Sequence, residues 1–249
     1  MRPLILNLMQ YLQHTENFIN NIKVVEISGH PDGLTFFCMH GYGANAYDLA
    51  GLSQVLKFSP RARLLFPDGI LPVDLGMMQT AGRAWFPIDF NEIERIRQEG
   101  GLRDLSKNLP TGMDIARDQV IEVMAKLDIK PEKTILAGFS QGAMMATELA
   151  LHHPEYFKGL IIFSGTLVNK EGWREKLAKK YQEQNRTLHF IASHGKNDML
   201  LPFAASERLY KLLTDHGAQG ELVAFNGGHE IPLEVIDKVN AWLQDRSDT

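Results

Sequence analysis

The chain has 249 residues, 44% hydrophobic and 22% charged, which is ordinary globular usage and excludes a disordered, collagen-like or coiled-coil protein. Its 26 Lys and Arg against 30 Asp and Glu leave a formal net charge of -4, without the positive field that would favour a nucleic-acid partner. One α/β domain spanning residues 1–249 is expected for this length, and the one cysteine, Cys38, allows no intramolecular disulfide.

In chain order, residues 1–10 carry one basic side chain and an apolar run broken at Asn7 and Gln10, so no signal peptide is read. No run approaches the roughly 18 apolar residues of a membrane span. A cytoplasmic location without stable membrane insertion is expected, and a homodimer is left open. Residues 24–27 and 34–39 are short β-rich runs separated by His30-Pro31-Asp32-Gly33, a turn signal, so an antiparallel hairpin is expected at the start of the sheet. The β run 63–66 is followed by the long stretch 68–110, which has two Gly-rich breaks and is expected to act as a lid or substrate-binding region. Met113, Ala116, Val120, Val123 and Leu127 then share one face of a helix that Pro131 prevents from continuing far.

Runs 134–137, 160–163, 188–192 and 222–225 are too continuously apolar for one wet face and suit strands covered on both sides. Helical patterns lie between and after them, at 142–152, 203–216 and 232–244. Strand then helix, repeated, predicts a mostly parallel, doubly wound α/β sheet. Residues 170–186 hold six Lys or Arg against three Glu and are read as a solvated helix in preference to a phosphate or membrane-surface contact.

The sharpest local signal is Gly138-Phe139-Ser140-Gln141-Gly142, a G-x-S-x-G pattern between a strand and a helix. A serine on that sharp turn is pushed out above the sheet, whereas an N-cap serine would point back into the helix. A serine hydroxyl needs a base to take its proton and a third group to orient the base, and in this fold the order is Ser, acid, His. Asp198 follows the run 188–192 and His229 follows the run 222–225, both where strands of such a sheet end and ligands bind. His194 is the nearest rival base, but it precedes Asp198 and so reverses the order. The oxyanion donors are expected at the backbone N–H of Gln141, after the nucleophile, and of Tyr42, in the Gly-flanked loop His40-Gly41-Tyr42-Gly43.

Together His40-Gly41-Tyr42-Gly43, Gly138-Phe139-Ser140-Gln141-Gly142, His194-Gly195-Lys196-Asn197-Asp198 and Gly228-His229 resemble the phospholipase/carboxylesterase family, which includes acyl-protein thioesterases and has the α/β-hydrolase fold. Phe66-Pro67-Asp68 and Gly82-Arg83-Ala84-Trp85-Phe86 are similar to that family too. The resemblance implies Ser140, Asp198 and His229 as the triad, Tyr42 and Gln141 as oxyanion donors, and Trp85 as part of the acyl-binding wall. It departs at Glu230, where the thioesterases typically have Ser. A carboxylate beside the base is expected to raise the histidine's pKa or to disfavour an anionic substrate. The expected activity is hydrolysis of carboxylic esters, with thioesters as a further class, bearing small to medium acyl groups. A lysophospholipase or acyl-protein thioesterase acting on long chains is the alternative, and a non-catalytic small-ligand binder on the same scaffold is the alternative of another class. No metal or organic cofactor is expected, since the sequence has no H-E-x-x-H, paired Cys or dinucleotide fingerprint.

Overall fold

The computed structural model describes residues 14–27, 29–30, 33–74, 82–89, 91, 92, 95, 98, 99 and 104–247. The N-terminal run 1–10 lies outside them, as does much of the interior of the 68–110 stretch. Eight strands form one sheet in the order β1-β2-β4-β3-β7-β8-β9-β10. They are β1 (Thr15–Ile19), β2 (Ile22–Ile27), β3 (Thr35–Met39), β4 (Arg63–Pro67), β7 (Thr134–Phe139), β8 (Gly159–Phe163), β9 (His189–Gly195) and β10 (Gln219–Phe225). All neighbours from β4 to β10 pair in parallel, while β2 pairs antiparallel with both β1 and β4. Two short strands, β5 (Leu71–Val73) and β6 (Gly82–Ala84), make a separate antiparallel pair within the 68–110 stretch.

The N-terminal hairpin is present, but one strand earlier than the turn signal suggested. β1 and β2 form it, and the run at β3 lies beyond β4 from β2. Its turn is Asn20-Asn21, with φ of 50° and 64°; two consecutive left-handed residues match the twist of the flanking strands. β1 is an edge strand whose side chains are largely exposed, so it lacks the apolar run that marks the others.

Alternation along the central strands fills two apolar layers. Phe37, Met39, Leu136, Leu160, Ile162 and Phe190 face one side with α1 (Met113–Lys126), α2 (Gln141–His152), α3 (Lys170–Leu177) and α4 (Phe203–Asp215). Phe36, Cys38, Ile135, Ala137, Ile161 and Phe163 face the other with α5 (Leu233–Ser247) and a 3₁₀ turn at Ala50–Gln54. Both faces are therefore dry, which is why these strands read as unbroken hydrophobic runs. Cys38 lies in the second layer, where burial pushes its thiol pKa up and leaves it unreactive.

Two charged groups sit inside this apolar frame. Glu148, fully buried on α2, accepts from Arg117 Nη1 at 3.0 Å and from Trp173 Nε1 at 2.7 Å, joining three helices. Glu148→Ala is expected to cost about 2 kcal/mol, chiefly by leaving Trp173 Nε1 buried without a partner while Arg117 keeps Asp118; urea denaturation measures it. Lys180 departs from the solvated character expected of residues 170–186. Its Nζ donates to the carbonyls of Ala150, His153 and Glu155 at 2.8, 2.7 and 2.8 Å, closing the C-terminal end of α2. Burial, with Lys176 nearby, lowers its pKa to about 8. Trp173, Leu177 and Tyr181 form the buried side of the same segment.

Candidate active site

The carboxyl ends of β3, β7, β9 and β10 bring the expected site residues to one edge of the sheet. Ser140 occupies the turn between β7 and α2 with φ 55° and ψ −118°, a conformation that L residues rarely adopt. Its backbone is held there: the N–H donates to Phe163 O at 2.9 Å and the carbonyl accepts from Ala143 N at 3.0 Å. Its hydroxyl makes no capping bond to α2, so the N-cap alternative does not describe this serine. The flanking glycines are required by close approach. A Cβ on Gly138 would lie 2.2 Å from Gly142 O, and one on Gly142 would lie 2.0 Å from Met39 O. α2 thus starts directly against the end of β3.

Asp198 lies in the loop after β9 and is 8% exposed. Its Oδ1 accepts the N–H groups of Leu200 and Leu201 at 2.8 and 2.9 Å. Its Oδ2 accepts from His229 Nδ1 at 2.6 Å and lies 3.2 Å from His194 Nε2. Burial pushes this carboxyl pKa up, but the bonds from His194, His229 and Leu201 and the charge of His229 outweigh it, holding the group well below the usual carboxylate range. The Asp198 and His229 loops are tied together by Lys196 N to Phe225 O at 2.9 Å and Asn197 N to Gly227 O at 3.0 Å. The imidazole of His229 packs against Phe139, the residue before Ser140, with ring centroids 4.7 Å apart. Glu230 Oε1 accepts the Gly228 N–H at 3.3 Å.

The loop carrying Tyr42 is braced from three sides. Gly43 N donates to Arg83 O at 2.9 Å, and Ala44 N to Gly41 O at 3.2 Å. His40, 1% exposed, donates from Nδ1 to Gly41 O at 2.7 Å and accepts the Gly69 N–H on Nε2 at 2.9 Å. Both ring nitrogens are committed, and burial lowers its pKa to about 4, so it is a neutral strut. Trp85 is fully buried, and its Nε1 donates to His40 O at 2.8 Å. Its ring therefore stands behind the loop that carries Tyr42.

The side chain of Gln141 ties two segments together. Oε1 accepts Trp85 N at 2.9 Å and Nε2 donates to Phe86 O at 2.7 Å, pinning the end of the 68–86 segment to the turn at Ser140. Spacing gave no sign of this contact, nor of the braces made by His40 and His194. The available signal was a histidine directly after the run 35–39 and another near the end of the run 188–195. Among the described residues, no group of three or more His, Cys, Asp or Glu is placed to hold a metal ion, and no helix is long and apolar enough to cross a membrane.

The family described as Phospholipase/Carboxylesterase matches residues 20–246. The acyl-protein thioesterase 1 of Eremothecium gossypii is 24% identical over 230 residues, covering 88% of this chain and 90% of its own. Esterase YpfH of Escherichia coli is 22% identical over 228 residues, covering 90% of this chain and 82% of its own. The crystal structure of esterase PE8 superposes with a TM-score of 0.71 at 26% identity, covering 89% of this chain and 97% of that one.

Proposed function

The chain belongs to the phospholipase/carboxylesterase family and is a hydrolase of esters or thioesters, and from that premise we propose that Ser140, His229 and Asp198 are its nucleophile, base and orienting acid. The observation that carries this reading is the 2.6 Å bond between His229 Nδ1 and Asp198 Oδ2, with the imidazole packed on the residue before a serine in strained backbone. Because Nδ1 donates to the carboxylate, Nε2 is the basic nitrogen. Ser140 Oγ forms a bond to the substrate carbonyl carbon as its proton passes to Nε2. The oxyanion accepts the N–H groups of Gln141 and Tyr42; Gln141 is the first residue of α2, where an N–H has no carbonyl one turn earlier. The imidazolium then protonates the leaving alcohol or thiol, and water, deprotonated by the same nitrogen, releases the acyl group.

Trp85 and Gln141 are positioning residues in this scheme, holding the two donor segments against each other. The acyl group is small to medium in length and rests on Met199, Leu200 and Leu233, large apolar side chains left 88%, 71% and 74% exposed beside Asp198 and beyond His229. The substrate is a small-molecule ester, the reaction needs no cofactor, and the enzyme acts in the cytoplasm.

Intact mass after treatment with a fluorophosphonate tests the nucleophile, with one adduct expected on the wild type and none on Ser140→Ala. Rates across p-nitrophenyl acyl esters test the substrate class. A maximum among short and medium chains is expected; rates climbing through the longest chains would replace this reading with a lysophospholipase or acyl-protein thioesterase. A folded wild type that takes no adduct would sink the assignment.

A further inference from the structure

At the amino ends of the same strands, opposite the Ser140 edge, the surface holds a cavity of ≈ 320 Å³. The six residues of β7 separate the two sites by roughly 20 Å. Lys57, Arg61, Lys133, Lys158 and Arg246 line it, and no carboxylate is among its lining residues. They come from the segment after the 3₁₀ turn, the turn before β4, the turns before β7 and β8, and the end of α5. Such convergence differs from a solvated helix face, where charges recur along one element. Among the described residues, Lys57, Arg61, Lys133 and Lys158 make no ion pair with a carboxylate. In a chain of net charge -4, five cations facing one concavity repel one another unless an anion enters.

Two of the cations are already oriented. Arg61 Nη2 donates to His30 Nδ1 at 3.0 Å, and the Arg246 guanidinium stacks 4.2 Å from the Trp242 ring centroid. A guanidinium fork fixed in this way suits the paired oxygens of a phosphate, while lysines supply mobile charge around it. Leu34, Phe58 and Leu243 supply apolar surface in the same cavity.

We propose that this cleft binds a soluble small molecule carrying phosphate, through a di- or triphosphate on the cations and an aromatic or apolar body against Phe58 and Leu34. The site is separate from the hydrolytic one and does not depend on the triad assignment. A ligand there meets the strands whose other ends carry Ser140 and the Tyr42 loop, so it can act on the enzyme without touching the substrate.

Isothermal titration with inorganic pyrophosphate and with ATP tests this on the full chain, at low and at physiological salt, with vesicles of phosphatidic acid as a third arm. Saturable, salt-sensitive binding is expected, with ATP tighter than pyrophosphate because its base adds the apolar contact. Lys133→Glu with Lys158→Glu should weaken both by about tenfold or more, while Ser140→Ala binds as the wild type does and the double variant hydrolyses a short p-nitrophenyl ester at the wild-type rate. If the charge reversals fail to fold, Lys133→Gln with Lys158→Gln serves in their place. Equal affinity in wild type and variant, no saturable binding of either soluble phosphate, binding to the vesicles alone, or binding abolished by fluorophosphonate on Ser140 would each overturn the proposal.

Discussion

Ser140→Ala is expected to lower kcat by on the order of 10³ to 10⁶ while leaving the unfolding midpoint nearly unchanged. The activity loss follows from removing the atom proposed to attack the carbonyl. The preserved fold follows from what the hydroxyl does not do: it caps no helix, and the bonds at this residue are made by its backbone N–H and C=O, which alanine keeps. Glycine separates the two effects further. At φ 55° and ψ −118° any side chain costs about 1 to 3 kcal/mol of backbone strain, so Ser140→Gly should be inactive yet more stable than the wild type. Steady-state kinetics beside thermal unfolding of the three proteins would show it. A glycine variant less stable than the alanine one would mean that the turn is not strained as argued.

That strain was legible in the sequence because only small residues fit around such a turn, and the G-x-S-x-G pattern states the requirement outright. The parallel strands were legible for a related reason: both faces of β3, β7, β8 and β9 are covered, so their burial leaves unbroken apolar runs. The edge strand β1 escaped because a strand with one partner and a wet face keeps polar residues such as Glu16 and Asn17, and its Asn20-Asn21 turn competed with a stronger-looking signal at His30-Pro31-Asp32-Gly33. The proposed positions for Ser140, Asp198 and His229 follow from the G-x-S-x-G motif, the strand ends and the chain order. The struts could not be read in that way. His40, Gln141 and Trp85 act through bonds to main-chain atoms of distant segments, and main-chain partners leave no residue type to recognise. The 68–110 stretch shows the same limit: Gly69, Arg83, Trp85 and Phe86 anchor its described parts to the loops around Tyr42 and Ser140.

Asp198→Asn is expected to lower kcat by on the order of 10³ to 10⁴ through a forced tautomer. Two backbone N–H groups, from Leu200 and Leu201, point at Oδ1, so the asparagine must place its carbonyl oxygen there. Its NH₂ then occupies the Oδ2 position and donates to His229 Nδ1, which moves the imidazole proton to Nε2, the nitrogen that should accept from Ser140. His194 cannot relieve this, because its Nε2 already donates to Leu201 O at 2.8 Å. Stability supplies an independent check. The carboxyl pKa is depressed in the folded state, so its contribution is present above the unfolded value near about 3.9 and is lost as pH falls through the folded value. The stability advantage of wild type over Asp198→Asn in urea should therefore be level from neutral pH down to about pH 5 and shrink below about pH 4. An advantage that persists undiminished into strong acid would place the stabilisation in packing around Asp198 and not in the N–H groups of Leu200, Leu201 and His229 that its charge collects.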